Sequence, residues 1–261
     1  MEIAVLLGFL QGLVEWLPVS SEGVVSATYT FLHDRPFSEA VDYALWLHLG
    51  TVPSVLVVFR KEIKGILREV VDRSAPPSPL LSYLLISTAV SAAVGLPLLL
   101  VLHEMLSRVG AITMALVGVL MLVTGAVQLR RREDGTRERN DISSMDALLT
   151  GIVQGLAVLP GLSRSGMTMA MLLARKVSRR EALVLSFLMS VPASLGAALF
   201  VLLDSGLALS RETAVATLVA FVVGLITIRF LLSMVQRINF AWFVVILGLV
   251  ILISASLQAL I

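Results

Sequence analysis

The chain has 261 residues, of which 57% are hydrophobic and only 15% carry a charge, and its formal net charge is +2. A soluble domain is typically about half apolar, with about a quarter of its residues charged. The composition therefore excludes a soluble globular protein and predicts an integral membrane protein that embeds in a lipid bilayer and has no nucleic-acid partner.

The first apolar segment, residues 1–33, is interrupted by the sequence QGLVEWLPVSSEG at 11–23. Neither half is long enough to cross a bilayer, which takes about 20 residues. Irregular backbone at membrane depth is tolerated only where it is buried in protein or lines a wet cavity. The segment therefore predicts a re-entrant helical hairpin, which enters and leaves the membrane on the same side.

Three apolar stretches follow, then a second interrupted segment, and then three more apolar stretches. The second interrupted segment, 146–177, contains QGLAVLPGLSRSG and predicts a second re-entrant hairpin. Just before it, Ser143 and Asp146 have the spacing of a helix-capping box. The six uninterrupted stretches, each predicted to be a transmembrane helix, are 43–59, 81–102, 110–129, 183–203, 213–232 and 240–261.

The basic residues of the loops give the expected orientation. If both hairpins are re-entrant, fifteen Lys and Arg residues fall on one side of the membrane and three on the other. Cytoplasmic loops carry the excess of Lys and Arg. We therefore expect a multi-pass plasma-membrane protein with both termini outside, the first hairpin entering from outside and the second from the cytoplasm.

The two interrupted segments are related to each other. At an offset of 143 without gaps, Gly8 aligns with Gly151 and Gln11 with Gln154. Each half of the chain then contains one hairpin and three spans, and an odd number of crossings inserts the second half upside down. The predicted fold is all-α and polytopic: one membrane domain, 1–261, built as an inverted repeat of 1–129 and 146–261. Such repeats place broken helices and the binding site near the midplane; chance similarity between Gly-rich segments is the alternative.

Polar groups at the two breaks predict a phosphate or pyrophosphate pocket. Serines favour helix starts, and a helix N-terminus attracts anions through its free N–H groups and partial positive charge. Arg164 adds a guanidinium fork that suits phosphate oxygens. The other residues expected to contact phosphate at the breaks are Ser20, Ser163, Ser165, Gly166 and Thr168.

Glu15 allows three interpretations, because a carboxylate repels a nearby phosphate unless it has a partner. It could ligate Mg²⁺ or Ca²⁺ together with the phosphates, act as general base toward Ser21 or a water, or form an inert ion pair with Arg164. Glu22 is interpreted as an acidic first-turn residue that stabilises a helix start, and His48 as a packing residue of its span.

The motifs QGLVEWLPVSSEG and PGLSRSGMT resemble those of the undecaprenyl-pyrophosphate phosphatase family, the bacitracin-resistance type. The likeness extends to LHLGT at 47–51 and LSFLMSVPASLGA at 185–197. This resemblance implies removal of the terminal phosphate from a polyprenyl pyrophosphate carrier lipid, which recycles the carrier for the cell envelope. It also implies a divalent cation, Mg²⁺ or Ca²⁺, and a site between two re-entrant hairpins.

Carried over by position, the resemblance assigns catalysis to Glu15, Ser21 and Arg164, with Ser21 as nucleophile or with direct attack by a Glu15-activated water. Gln11 stands where many family members have Glu, and we expect it to assist phosphate binding. Val24 stands where bacterial members commonly have His, and His48 is a candidate substitute. A transporter or flippase for a phosphorylated polyprenyl lipid is the alternative function, and a homodimer is left open.

Overall fold

The protein is predominantly helical over the residues that the computed structural model describes: 1–33, 37–72, 74, 76–106, 110–129, 135–204, 209–234 and 241–258. One isolated bridge, between Arg137 and Val177, adds to the helices within these ranges, and the all-α fold class is confirmed. The α-helices are α1 (Glu2–Val14), α2 (Ser21–His33), α3 (Phe37–Trp46), α4 (His48–Val58), α5 (Arg60–Val71), α6 (Pro79–Leu106), α7 (Gly110–Leu129), α8 (Ser144–Leu156), α9 (Arg164–Ala174), α10 (Arg179–Asp204), α11 (Arg211–Met234) and α12 (Ala241–Gln258).

Both interrupted segments are broken helices, as predicted. Residues 15–20 separate α1 from α2, and residues 157–163 separate α8 from α9. The first helix of each pair has 13 residues, a length of about 20 Å, which is shorter than the roughly 30 Å of a bilayer's hydrocarbon core. Each second helix begins at a serine: α2 starts with Ser21, and Ser163 caps α9 by accepting a hydrogen bond from Gly166 N–H.

Four of the six predicted spans are confirmed as membrane-span candidates. Among the described residues, four helical stretches are long and apolar enough to cross a bilayer: Phe37–Val58, Pro79–Val101, Arg179–Leu203 and Arg211–Ser233. The other two predicted spans, 110–129 and 240–261, fall on α7 and α12, whose apolar parts are shorter over the ranges counted, Ala115–Leu129 and Val244–Ile253. Their crossing of the membrane stays a prediction.

The first span differs in detail from the sequence prediction. It starts six residues earlier than 43–59 and consists of two helices, α3 and α4, with Leu47 between them. His48 Nδ1 lies 3.1 Å from the backbone carbonyl oxygens of Ala44 and Leu45, which an uninterrupted helix would use for backbone N–H groups. The imidazole thus takes the place of backbone hydrogen bonds at the junction.

A further helix, α5, follows directly where the sequence prediction had a basic loop. Its apolar residues recur at the three- and four-residue spacing that gives a helix one apolar face. The interpretation of this segment as a loop was wrong, because its basic residues were considered and the spacing of its apolar residues was not. None of its residues is fully buried.

Each hairpin packs closely on a span from the other half of the chain. α1 lies along α11, and α8 lies along α6. Equivalent glycines make these approaches: a Cβ at Gly8 would collide with the carbonyl of Ala216 in α11, and one at Gly151 would lie 2.8 Å from the carbonyl oxygen of Ser87 in α6. The close backbone approach explains why glycine occupies both positions.

The base of the second hairpin is fixed by a buried carboxylate. Asp146 has no exposed side-chain surface, and it accepts hydrogen bonds from Arg137 Nη2 at 2.6 Å and from Arg175 Nε at 2.7 Å. The capping box between Ser143 and Asp146 is confirmed. Burial raises the pKa of Asp146, but the arginine hydrogen bonds outweigh this effect and hold the pKa well below its ordinary value.

Asp146→Asn is expected to lower the free energy of unfolding by about 1–3 kcal/mol, because two guanidinium groups lose their carboxylate partner. A carboxyl group whose pKa is lower in the folded state stabilises the fold above its unfolded-state pKa, and this contribution is lost as the pH falls. The difference in thermal stability between wild type and variant, measured in detergent, should therefore shrink as the pH falls from about 5 toward about 1. A difference that stays constant over this range would contradict the assignment.

Candidate active site

The breaks of the two hairpins meet each other in the interior. Ser20 Oγ accepts a hydrogen bond from Gly161 N–H at 3.0 Å, and Ser165 Oγ donates to the carbonyl of Leu17 at 2.8 Å. Gly161 has a φ of 104°, a left-handed conformation that favours glycine. The contacts hold the start of α2 beside the start of α9, so that residues far apart in sequence line one site.

Glu15 is the centre of this site. Its Oε2 accepts hydrogen bonds from Ser21 Oγ at 2.5 Å and from Gln11 Nε2 at 3.0 Å. Its Oε1 forms an ion pair with Arg164. The structure thus brings together the three residues predicted to be catalytic, and all of these contacts converge on one carboxylate.

Arg164 is held from its other side by α10. Its Nη1 donates to Ser194 Oγ at 2.7 Å and to the carbonyl of Ser190 at 3.2 Å. These contacts fix the plane of the guanidinium, with Nη2 directed at Glu15. A planar fork fixed in this way can present two donors to a phosphate oxygen pair, which the single ammonium of lysine cannot do.

His48 and Glu22 also belong to the site. His48 Nε2 lies 3.4 Å from Glu15 Oε2 and 3.8 Å from Glu22 Oε1. Because only carbonyl acceptors face His48 Nδ1, this nitrogen carries a proton, and Nε2 is left to face the two carboxylates. His48 and Glu22 therefore both line the cavity, in addition to packing in α4 and beginning α2, respectively.

The residues lining the cavity between the breaks are Glu15, Val19, Ser20, Ser21, Glu22, His48, Leu162, Arg164 and Ser165. The cavity volume is about 10 Å³, roughly the room that one water needs. A pyrophosphate group is much larger.

Four residues predicted to bind phosphate lie outside this lining: Gln11, Ser163, Gly166 and Thr168. Gln11 Nε2 donates a hydrogen bond to Glu15 Oε2, and Ser163 Oγ accepts one from Gly166 N–H at 3.1 Å. Thr168 Oγ1 bonds to Ser186 Oγ at 2.7 Å. Of these contacts, that of Gln11 reaches a lining residue, Glu15, and phosphate contact by the four residues stays a prediction.

Residues 4–251 match the family described as bacitracin resistance protein BacA. The match spans both hairpin breaks and every residue of the site. The chain belongs to the BacA family. Similar relatives, each named undecaprenyl-diphosphatase, come from Methanococcoides burtonii (41% identical, 94% of each chain covered), Haloarcula marismortui (39%, 91% of each) and Methanopyrus kandleri (39%, 94% of this chain and 92% of the relative).

Membership of the BacA family confirms the resemblance that the two motifs indicated. Sequence reasoning missed the two serines that hold Arg164 in this BacA-family site, Ser190 and Ser194. Ser194 contributes its hydroxyl, whereas Ser190 contributes only its backbone carbonyl oxygen, which no pattern of side chains in the sequence indicates.

Proposed function

We propose that this protein hydrolyses undecaprenyl pyrophosphate, or a polyprenyl pyrophosphate like it, to the monophosphate and inorganic phosphate. The observation that carries the proposal is the hydrogen bond from Ser21 Oγ to Glu15 Oε2, 2.5 Å long, beside the fixed guanidinium of Arg164. A hydroxyl bonded to a carboxylate is arranged as a nucleophile with its base. The names of the relatives supply the substrate class.

In the serine route, Ser21 Oγ attacks the terminal phosphorus while Glu15 takes the hydroxyl proton. The bond from phosphorus to the bridging oxygen breaks, and Glu15 returns the proton to that oxygen as the polyprenyl monophosphate leaves. Water then attacks the phosphoserine while Glu15 takes its proton. The bond from phosphorus to Ser21 Oγ breaks, and Glu15 returns the proton to Oγ, which releases phosphate and restores Ser21. In the direct route a Glu15-activated water is the nucleophile, and Ser21 only binds the phosphate; trapping phosphorylated Ser21 would distinguish the two.

Arg164 is proposed to bind the terminal phosphate after exchanging its carboxylate partner for phosphate oxygens. The contacts to Ser190 and Ser194 do not involve Glu15, so the guanidinium keeps its position when the ion pair opens. A donor fixed in advance stabilises the charge that develops on the transferred phosphoryl group. The same exchange frees Glu15 to act as base.

His48 is proposed to hold Glu15 in position and to exchange protons with it, since its Nε2 faces the carboxylate. His48→Gln, which keeps a polar side chain but cannot carry a proton, is expected to lower turnover by about 10²-fold. The measurement is phosphate release as a function of pH. A wild-type pH profile in this variant would mean that His48 only packs.

A divalent ion fits this site only together with the substrate. Within the described residues, no cluster of three or more acidic, His or Cys side chains is suited to hold a metal ion. Mg²⁺ characteristically uses one or two carboxylates plus substrate phosphates, and Glu15 and Glu22 are the carboxylates that line the cavity. An ion held there would offset the charge of the pyrophosphate.

The decisive assay is phosphate release from undecaprenyl pyrophosphate by the purified protein in detergent, with and without a chelator. A hydrolase releases phosphate in detergent, whereas a transporter or flippase releases none. The transporter alternative is not favoured, because the relatives are named as diphosphatases.

We further propose the inverted-repeat arrangement of 1–129 and 146–261, with re-entrant hairpins 1–33 and 146–177. Its support is the reciprocal packing of each hairpin on the second span of the other half, through glycines at equivalent positions. In this arrangement both termini lie outside, and the two breaks meet from opposite sides of the membrane.

The topology predicts opposite labelling of two single cysteines in this cysteine-free chain. Thr136→Cys should be protected from an impermeant thiol reagent in intact cells, because its loop is cytoplasmic. Ser107→Cys, at a position outside the described residues, should react. Labelling of both positions, with permeabilised cells as the control, would rule out the crossing of 110–129 on which this topology depends.

A further inference from the structure

Helix α5 carries three chemically different strips along its length. Its apolar strip is formed by Ile63, Ile66, Leu67, Val70 and Val71. At 100° per residue, one neighbouring strip carries the basic residues Lys61, Lys64 and Arg68, whereas Arg60, the first residue of the helix, falls within the apolar strip. The acidic residues Glu62 and Glu69 lie on the opposite flank from the basic strip.

The apolar strip is only partly covered by the protein. Ile63, near the start of α5, packs against the cluster that contains Phe59 and Leu231. Farther along, Leu67 is 58% exposed and Val71 is 84% exposed. The acidic flank is tied to the following loop, because Glu69 Oε2 accepts a hydrogen bond from Ser78 N–H at 3.2 Å. The uncovered part is therefore the apolar strip with its basic neighbour.

The position of α5 in the chain determines which surroundings it meets. It begins at Arg60, two residues after the span candidate Phe37–Val58 ends, and the next span candidate begins at Pro79. A short segment joining two consecutive spans lies at one membrane boundary. Its apolar strip therefore meets the acyl region of the bilayer, and its basic strip meets the headgroups.

We propose that α5 lies in the membrane interface as an anchoring helix and selects anionic phospholipids around this end of the bundle. Three basic side chains on one strip, those of Lys61, Lys64 and Arg68, match a surface of negatively charged headgroups, and each adds to the attraction. The apolar side chains of Leu67, Val70 and Val71 insert into the acyl region beneath these headgroups. This lipid binding is separate from the hydrolytic site, and no cavity residue belongs to α5.

The test uses single cysteines, since the natural chain has none. Full-length protein carrying a polarity-sensitive fluorophore at Leu67→Cys or Val70→Cys is compared with Lys61→Cys and Lys64→Cys in vesicles of phosphatidylcholine with phosphatidylglycerol. We expect acyl-chain nitroxide lipids to quench positions 67 and 70 strongly and positions 61 and 64 weakly. Equal quenching at all four positions would overturn the interfacial placement, as would energy transfer between copies without quenching by lipid, which would indicate a second chain as the occupant.

Headgroup selection has its own readout. Spin-labelled phosphatidylglycerol should quench position 67 more strongly than spin-labelled phosphatidylcholine does. The triple variant Lys61→Gln, Lys64→Gln, Arg68→Gln should reduce this ratio by about twofold or more, and high salt should do the same. The charge-preserving variant Lys61→Arg, Lys64→Arg, Arg68→Lys should keep it. A ratio of one in the wild type, or a ratio unchanged in the Gln variant, would overturn the selection of anionic lipid.

Discussion

Arg164→Lys is expected to reduce phosphate release from undecaprenyl pyrophosphate by about 10²–10³-fold, the cost of removing one fixed donor to a developing oxyanion. Lysine keeps the positive charge, so the buried Glu15 is still offset and the protein still folds. It cannot bond at once to Ser194, the Ser190 carbonyl and a phosphate in one plane, as the guanidinium can. The loss should therefore appear in turnover, with little change in thermal stability.

The matched control for this variant is Arg139→Lys. Arg139 also pairs with a carboxylate, bonding to Glu181 at 2.9 Å, but its side chain is 29% exposed and lies away from the cavity. Exposed pairs of this kind contribute little, so activity should stay close to wild type. Near-normal turnover of the Arg164 variant would mean that Arg164 serves the fold alone.

Glu15→Gln is expected to lower turnover by about 10²–10⁴-fold if Glu15 is the base, and added metal should not restore it. Glutamine keeps the size of the side chain and one acceptor oxygen, but it loses the charge and the ability to take the proton of Ser21. If Glu15 mainly holds a divalent ion, the variant should instead need far more Mg²⁺ or Ca²⁺ for half-maximal activity, with turnover largely restored at saturating metal.

Two measurements distinguish the base role of Glu15 from the metal-binding role. Turnover is titrated against metal for wild type, Glu15→Gln and the control Glu181→Gln, whose carboxylate lies outside the cavity. Thermal unfolding of each variant shows whether the fold survives the loss of the ion pair. Unchanged turnover of Glu15→Gln at every metal concentration would contradict both roles and leave the pair with Arg164 as a purely structural contact.

Features encoded locally could be predicted from the sequence. The breaks of both hairpins are marked by proline, glycine and serine, and the structure places them where these residues stand. The sequence allowed the pairing of Glu15 with Arg164 as one of three interpretations of Glu15. Charged residues are few in these apolar segments, so each has few possible partners. The repeat at an offset of 143 likewise aligned Gly8 with Gly151, and each of these glycines packs against the backbone of a neighbouring helix.

Features that depend on packing between distant elements could not be predicted in this way. Whether His48 faces the cavity depends on how α3 and α4 meet, and the local sequence allows a packing role equally well. Glu22 is the first-turn residue that its position suggests, but its carboxylate also lies 3.8 Å from His48 of α4, which the local sequence does not indicate. Ser190 and Ser194 gain their importance only when α10 lies beside α9.

The ion pair at the centre of the site joins residues that the ribosome makes at very different times. Glu15 and Arg164 are 149 positions apart, so at typical rates of synthesis roughly 7–30 s pass between them. During that interval the carboxylate of the first hairpin lacks its cation, and an unpaired charge is costly in lipid. In the proposed re-entrant arrangement we therefore expect Glu15 to stay in contact with water, or to hold a proton, while the following spans are inserted. The ionised carboxylate gains its guanidinium partner once the second hairpin has been made.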